Sequence, residues 1–425
     1  MRAGRAAAGD AGLARHGALL MGGTLAGAAC NAGFHMVVGR PQVLANAEYG
    51  SLAAMLGIIL VVGTPMLALQ NTLAHFISDL AQQGRREEIR PFLVHWARIF
   101  AAASAGILLA AWGFRGPLAA FWNVGPGLIV GTFAVLAATL WMSLFYGALQ
   151  GVQAFGWLAW APQAWGVTRL GLGAAFTIGI SATAGAAIAA QGLGVLVVLL
   201  LCLGAVARMD LPRGPGGARP RGTYRYLGSA LVCLAGYAML MNLDTPLAKH
   251  YFDAETAGLF AKAAVIARTA VFLPVPIATA LFPKVTSAGE LTEESWRLLG
   301  RALAYAGAII AAVVAGCLLW PQLPWRILYG PMPAESADLA AGLTRAMALA
   351  LAPLTLAYLL LNFEMAQRRF RWCYALVPAG LAYVAAVAVF HAHPWQVAAA
   401  LGTINLLAAL LLAAGVVALR RRTRG

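Results

Sequence analysis

Carboxylates are scarce in this chain: Asp and Glu number 15 in 425 residues, against 30 Lys and Arg, and all charged residues together make up 11%. A soluble domain carries about a quarter of its residues as charges, so a chain this poor in them does not cover itself with a water-facing surface. The shortage of acids also argues against chemistry that needs them. No long acid-rich loop is present to hold a metal and a nucleotide sugar, as a membrane glycosyltransferase would require. G-x-x-x-x-G-K-[ST] and H-E-x-x-H are absent too. The five cysteines, Cys30, Cys202, Cys233, Cys317 and Cys373, form no C-x-x-C pair and fall in apolar runs. They read as small core residues and not as a metal site or a disulfide framework. The expectation is a protein that is not an enzyme and has no cofactor or metal.

What the chain has instead is apolar length. Hydrophobic residues reach 61% and the mean hydropathy is +0.77. A hydrocarbon core about 30 Å thick takes roughly 20 apolar residues per helical span. Windows of that kind lie near 17–39, 49–80, 91–112, 126–150, 157–181, 185–207, 225–247, 255–287, 297–320, 338–363, 371–391 and 395–419. None alternates with period two, so helices are expected and not an outer-membrane barrel. The opening "MRAGRAAAGDAGLARHGALLMGGTLAGAAC" has the basic start and small residues of a cleaved signal. Its apolar run continues to Val38, however, which suits a first span.

Basic residues orient these spans. With the N-terminus inside, the cytoplasmic segments hold 21 Lys and Arg, including Arg85, Arg86, Arg90, the five arginines of 208–225 and the four of 420–424. The outer segments hold only Arg40, Arg115, Lys249 and Arg326. The positive-inside rule then places both termini in the cytoplasm. Anionic headgroups account for the excess positive charge, and no nucleic acid partner is needed.

The stretch "RMDLPRGPGGARPRGTYRY" (208–226) is the most loop-like in the chain and lies near its midpoint. The two sides of it echo each other. "EYGSLAAML" (48–56) and "TAGLFAKAA" (256–264) open the second and eighth spans, and each is followed by a Pro at a similar distance from its Gly (Gly50 to Pro65, Gly258 to Pro274). Six spans per side is an even number, so both sides begin in the cytoplasm, as in parallel-repeat transporters. The expected division is an N-terminal six-helix bundle (1–207), a cytoplasmic linker (208–224) and a C-terminal six-helix bundle (225–425).

"AEYGSLAAMLGIILVVGTPMLALQNTLAHFISDLAQQG" (47–84), "NLDTPLAKHYFDAETAGLFAKAAVIARTAVFLPVPIATALFPKV" (242–285) and "LNFEMAQRRFRW" (361–372) resemble the polysaccharide (Wzx-like) flippase branch of the multidrug/oligosaccharidyl-lipid/polysaccharide exporter superfamily. The resemblance implies an all-α fold of about twelve transmembrane helices, in two six-helix bundles around a central cavity that opens alternately to either side. It also implies a cargo, a lipid-linked oligosaccharide with an anionic pyrophosphate head. The implied setting is the bacterial cytoplasmic membrane, with membrane lipids, a polysaccharide polymerase or glycosyltransferases as partners. A multidrug exporter of the same fold is the alternative, and a non-transporting subunit of a polysaccharide synthesis complex a more distant one.

Ionisable residues inside the spans are the candidate site. A charge at the bilayer centre costs about 2.5–3.5 kcal/mol on insertion scales, so it needs a cavity or a partner. Arg98, Arg169, Lys262, Arg268 and Arg345 fall in the windows, with one acid, Asp244. Arg98 and Arg345 lie near span ends and are expected to reach the interface. Arg169 and Arg268 are roughly 18–20 Å from theirs, near the midplane, and are expected to face the cavity and bind substrate. Asp244 and Lys262 are expected to form an ion pair or to couple transport to an ion, leaving Arg268 uncompensated. Guanidinium suits a phosphate because it donates two parallel hydrogen bonds. The aromatics of "WRILYG" (325–330) are expected in an interfacial belt.

Overall fold

The computed structural model describes residues 22–424 apart from 24, 210, 213–222, 275–292 and 368. The start of the expected first span, most of the expected linker and the end of the expected eighth span lie outside the described residues. Among the described residues the chain is helical and has no strand. Each of the twelve windows holds a helix. These are α1 (Leu25–Val38), α2 (Asn46–Gly63), α3 (Met66–Gln82), α4 (Ile89–Gly113), α5 (Arg115–Trp122), α6 (Pro126–Gly151), α7 (Phe155–Gly179) and α8 (Ala184–Ala207). They continue with α9 (Thr223–Asn242), α10 (Asp244–Tyr251), α11 (Ala254–Phe272), α12 (Glu293–Leu319), α13 (Gln322–Leu328), α14 (Ala337–Ala366), α15 (Leu376–Val389) and α16 (Pro394–Arg424). Seven of the described helical stretches are long and apolar enough to cross a membrane, and an eighth does so as a bent pair, α9 with α10. Their outward faces are apolar: Leu109, Leu200 and Val389 are each about 70% exposed. Hydrocarbon is the solvent that accepts such faces, and the protein is a multi-pass membrane protein.

Prolines set the breaks. Pro65 lacks the N–H that would continue the ladder, and α2 gives way to α3 there. Pro246 removes the donor for the Asn242 carbonyl, four residues back, and α9 turns by 47° into α10.

The helices fall into two compact units. The first comprises residues up to 44, 66–120 and 124–224. Here α6 lies against α3, α4 and α8, and α8 against α7. Gly147 and Gly151 allow the approach to α3: a Cβ on Gly151 would stand 2.6 Å from the Ile77 Cβ, and one on Gly147 2.9 Å from the Gln70 carbonyl oxygen. Leu149, Ala161, Val198, Cys202 and Ala205 form a core beneath.

The second unit comprises residues 45–65, 121–123 and 225–425. Its centre is α11, which lies between α2 and α14, while α16 packs on α14 and α15. Residues 45–65 were expected with the N-terminal bundle and pack here instead. The small-residue face of α2 fits α11. The contact runs through the two glycines that mark the sequence echo. A Cβ on Gly50 would lie 2.9 Å from the Gly258 nitrogen, and one on Gly258 2.0 Å from the Asn46 carbonyl oxygen.

Candidate transport site: buried cations of the two units

In the first unit Arg169 extends from α7 toward α1. It donates through Nη1 to the Asn31 side-chain oxygen, and its guanidinium lies 4.0 Å from the Phe34 ring centroid and 5.2 Å from that of Trp165. Asn31 and Phe34 are one turn apart on α1, as are Trp165 and Arg169 on α7, so each helix contributes a polar and an aromatic group from one face. Gly173 makes room for the Phe34 ring, since a Cβ there would be 2.6 Å from its Cε2. Arg169 is 4% exposed. It is thus enclosed between two helices, where the sequence led us to expect an open cavity wall.

In the second unit α11 carries both remaining cations on different faces, as six residues of helix rotate the chain by about 120° between them. Lys262 points at α2 and is fully buried. Its Nζ donates to Asn46 Oδ1 at 2.5 Å. It also faces three rings, Tyr329 at 5.3 Å, Tyr49 at 5.4 Å and Trp325 at 6.0 Å from their centroids. Asn46 donates in turn through Nδ2 to the exposed Glu255 carboxylate.

Arg268 points instead at the α9–α10 break. Its Nε and Nη2 donate to the Met241 carbonyl at 3.3 and 3.2 Å, and Nη2 also reaches Asp244 Oδ1. The bend explains the carbonyl, because the last turn of a helix has acceptors without intrahelical donors, and in a bilayer a side chain must supply the donor. Asp244 therefore pairs with Arg268 and not with Lys262, and the expectation of an uncompensated Arg268 is overturned. The reason is angular: the face of α11 that carries Lys262 meets α2, whereas α10 meets the face that carries Arg268. The side chain of Arg268 remains 11% exposed while that of Asp244 is fully covered. Nη1 of Arg268 makes no hydrogen bond among the described residues.

Around Lys262, sequence reasoning missed four participants. Asn46 and Tyr49 sit one turn apart at the start of α2, and Trp325 lies on α13 with Tyr329 four residues on, at the helix's C-cap. Trp325 and Tyr329 are each 1% exposed, so they belong to the interior and not to an interfacial belt. Asn-x-x-aromatic recurs at Asn31/Phe34 and Asn46/Tyr49, and such a pair on an apolar helix was the available signal. Arg98 and Arg345 are exposed.

No family model matches the sequence, and no curated protein does. Similarity is found among solved structures. An inward-facing multidrug resistance MATE family transporter of the MOP superfamily superposes with a TM-score of 0.72 at 16% identity, covering 92% of this chain and 94% of that one. The lipid II flippase MurJ, in an inward closed conformation, gives 0.70 at 12% identity, with 94% and 87% covered. A MOP superfamily transporter from Pyrococcus furiosus, described as having a binding pocket of reverse polarity, gives 0.67 at 16% identity, with 94% and 93% covered. Over nearly its whole length, the chain has the fold shared by these transporters of the MOP superfamily.

Proposed function

We propose that the protein is a transporter that flips a lipid-linked oligosaccharide or polysaccharide precursor across the cytoplasmic membrane by alternating access, with its anionic head engaged by Arg268. The observation that carries this reading is the sign of the buried charge. Among the described residues four cations, Arg169, Lys249, Lys262 and Arg268, are buried in these helices against two acids, Asp244, which is bound to Arg268, and Glu364 near the end of α14. An exporter of organic cations needs a carboxylate to receive its cargo and exchange it for protons, and the acid beside Arg268, Asp244, is engaged by that guanidinium. Arg268 is held by Asp244 and the Met241 carbonyl with Nη1 still available, an arrangement that orients a guanidinium edge toward an incoming phosphate oxygen. Resemblance to the Wzx-like branch supplies the saccharide, and the likeness to MurJ supports a lipid-borne cargo on this fold.

The test is reconstitution into vesicles containing a polyprenyl-pyrophosphate oligosaccharide with a fluorophore on its saccharide, followed by quenching with an impermeant reductant. Wild-type protein should expose to the reductant the inner-leaflet fraction that protein-free vesicles protect. Arg268→Ala should lose this activity when equal amounts of folded protein are reconstituted, and Arg268→Lys should regain only part, because an ammonium cannot donate the paired hydrogen bonds. Vesicles that move ethidium but not the lipid would refute the reading in favour of a multidrug exporter.

A further inference from the structure

The surroundings of Lys262 are those of a receptor for an organic ammonium ion. No carboxylate among the described residues comes within ion-pair distance of its Nζ. The charge is met by three ring faces at 5.3–6.0 Å and by one neutral amide oxygen at 2.5 Å. Rings at this distance attract a cation through their quadrupoles, most strongly where water is excluded, and cages of this composition recognise ligand ammonium groups. The cage is also assembled independently of the lysine. Tyr49 and Tyr329 share a hydrogen bond between their hydroxyls at 3.2 Å, and their rings meet edge to face. Trp325 Nε1 donates to Thr344 Oγ1 at 2.8 Å, and Thr344 is tied to the Ala340 carbonyl. Trp325 and Tyr329 contact each other as well, 5.5 Å between centroids. None of these restraints involves the Lys262 ammonium, so the faces stay aimed at the same point if it is removed.

We propose that Tyr49, Trp325, Tyr329 and Asn46 form an alkylammonium-binding site occupied by the chain's own Lys262, a resident cation that keeps external ammonium ions out of the second unit. The inference stands apart from the cargo reading, since it concerns binding and its test needs no transport.

Lys262→Ala removes three carbons and the ammonium, the equivalent of n-propylammonium. In the purified full chain, the variant should unfold at a lower temperature than wild type. Propylammonium chloride should restore most of that loss, measured against sodium chloride at equal ionic strength, while leaving wild type unmoved. Neutral 1-propanol should not replace it, and Lys262→Ala/Tyr329→Leu should lose most of the restoration. No restoration, equal shifts in wild type and variant, or undiminished restoration in the double variant would each overturn the proposal. Should Lys262→Ala fail to fold, Lys262→Met, Tyr329→Leu and their combination decide it. The loss caused by Tyr329→Leu should shrink once the ammonium is gone, and equal losses in both backgrounds would overturn it.

Discussion

Breaking the Asp244–Arg268 pair tests which acid serves which base. Asp244 is completely covered and the Arg268 side chain is 11% exposed, so each charge lies where water solvates it poorly. Removing one partner of a buried pair costs about 3–5 kcal/mol, because the other charge stays behind, whereas removing both is often close to neutral. Asp244→Asn leaves the guanidinium with neutral acceptors alone, the amide oxygen and the Met241 carbonyl, and Arg268→Met leaves a carboxylate beside a helix break. Each single variant should therefore lose stability on that scale. At about 2–4 °C per kcal/mol, the melting temperature in detergent should fall by on the order of 10 °C. Asp244→Asn/Arg268→Met should melt well above the sum of the two losses, leaving a coupling of about 2–3 kcal/mol. Combining Asp244→Asn with Lys262→Met should show no such recovery, since Lys262 is bound by Asn46 and aromatic rings. The assay is thermal unfolding of solubilised protein followed by fluorescence-detected size-exclusion chromatography. Additive losses for the Arg268 pair, or recovery for the Lys262 pair, would refute the pairing.

Gly258→Ala forces a methyl to 2.0 Å from the Asn46 carbonyl oxygen, a backbone atom, and should cost about 1–3 kcal/mol and disturb the Lys262–Asn46 bond. Gly300→Ala, which meets nothing within 4 Å on an exposed helix face, should be neutral or slightly stabilising in the same melting assay. Asp253 caps α11, its Oδ1 accepting from the Glu255 and Thr256 backbone N–H groups at 3.0 Å. The Thr256 hydroxyl, the Thr256 N–H and the Glu255 N–H hold its carboxyl below the usual carboxylate range. A depressed carboxylate stabilises above its unfolded pKa, near 4, and loses that contribution as pH falls through the folded value. Asp253→Ala should thus cost about 1 kcal/mol at pH 7 and be nearly silent at the acid end of a pH series of melting curves. A cysteine introduced in the expected linker, 208–224, should resist a membrane-impermeant maleimide in intact cells, and its labelling would invert the topology.

The span pattern was legible because a bilayer imposes one requirement that acts locally. Every backbone group must be paired within its own helix and every outward side chain must tolerate hydrocarbon, so composition alone marks where helices run. The glycines Gly50 and Gly258, aligned by sequence, also turned out to be contact points. The pairing of charges was not legible. Depth along a helix can be counted from the sequence, and it set the exposed Arg98 and Arg345 apart from the buried Arg169 and Arg268, but Lys262, as shallow as the first two, is buried as well. Azimuth relative to neighbouring helices cannot be counted in that way. Lys262 and Asp244 share an outer depth but not a facing direction, and Arg268 reaches Asp244 because of the bend at Pro246.

By itself, then, the sequence determined that the chain is helical, that it lives in a membrane, and roughly where its apolar helices run. These follow from length, hydropathy and proline chemistry, which act within a few turns of one helix. Only tertiary structure decided that α2 packs with the second unit, that Asp244 serves Arg268, and that Trp325 and Tyr329 lie inside around Lys262 and not at an interface. Each of those depends on which faces of separate helices meet. That choice is settled by the fit of small residues, such as Gly258 against Asn46, across hundreds of residues of chain.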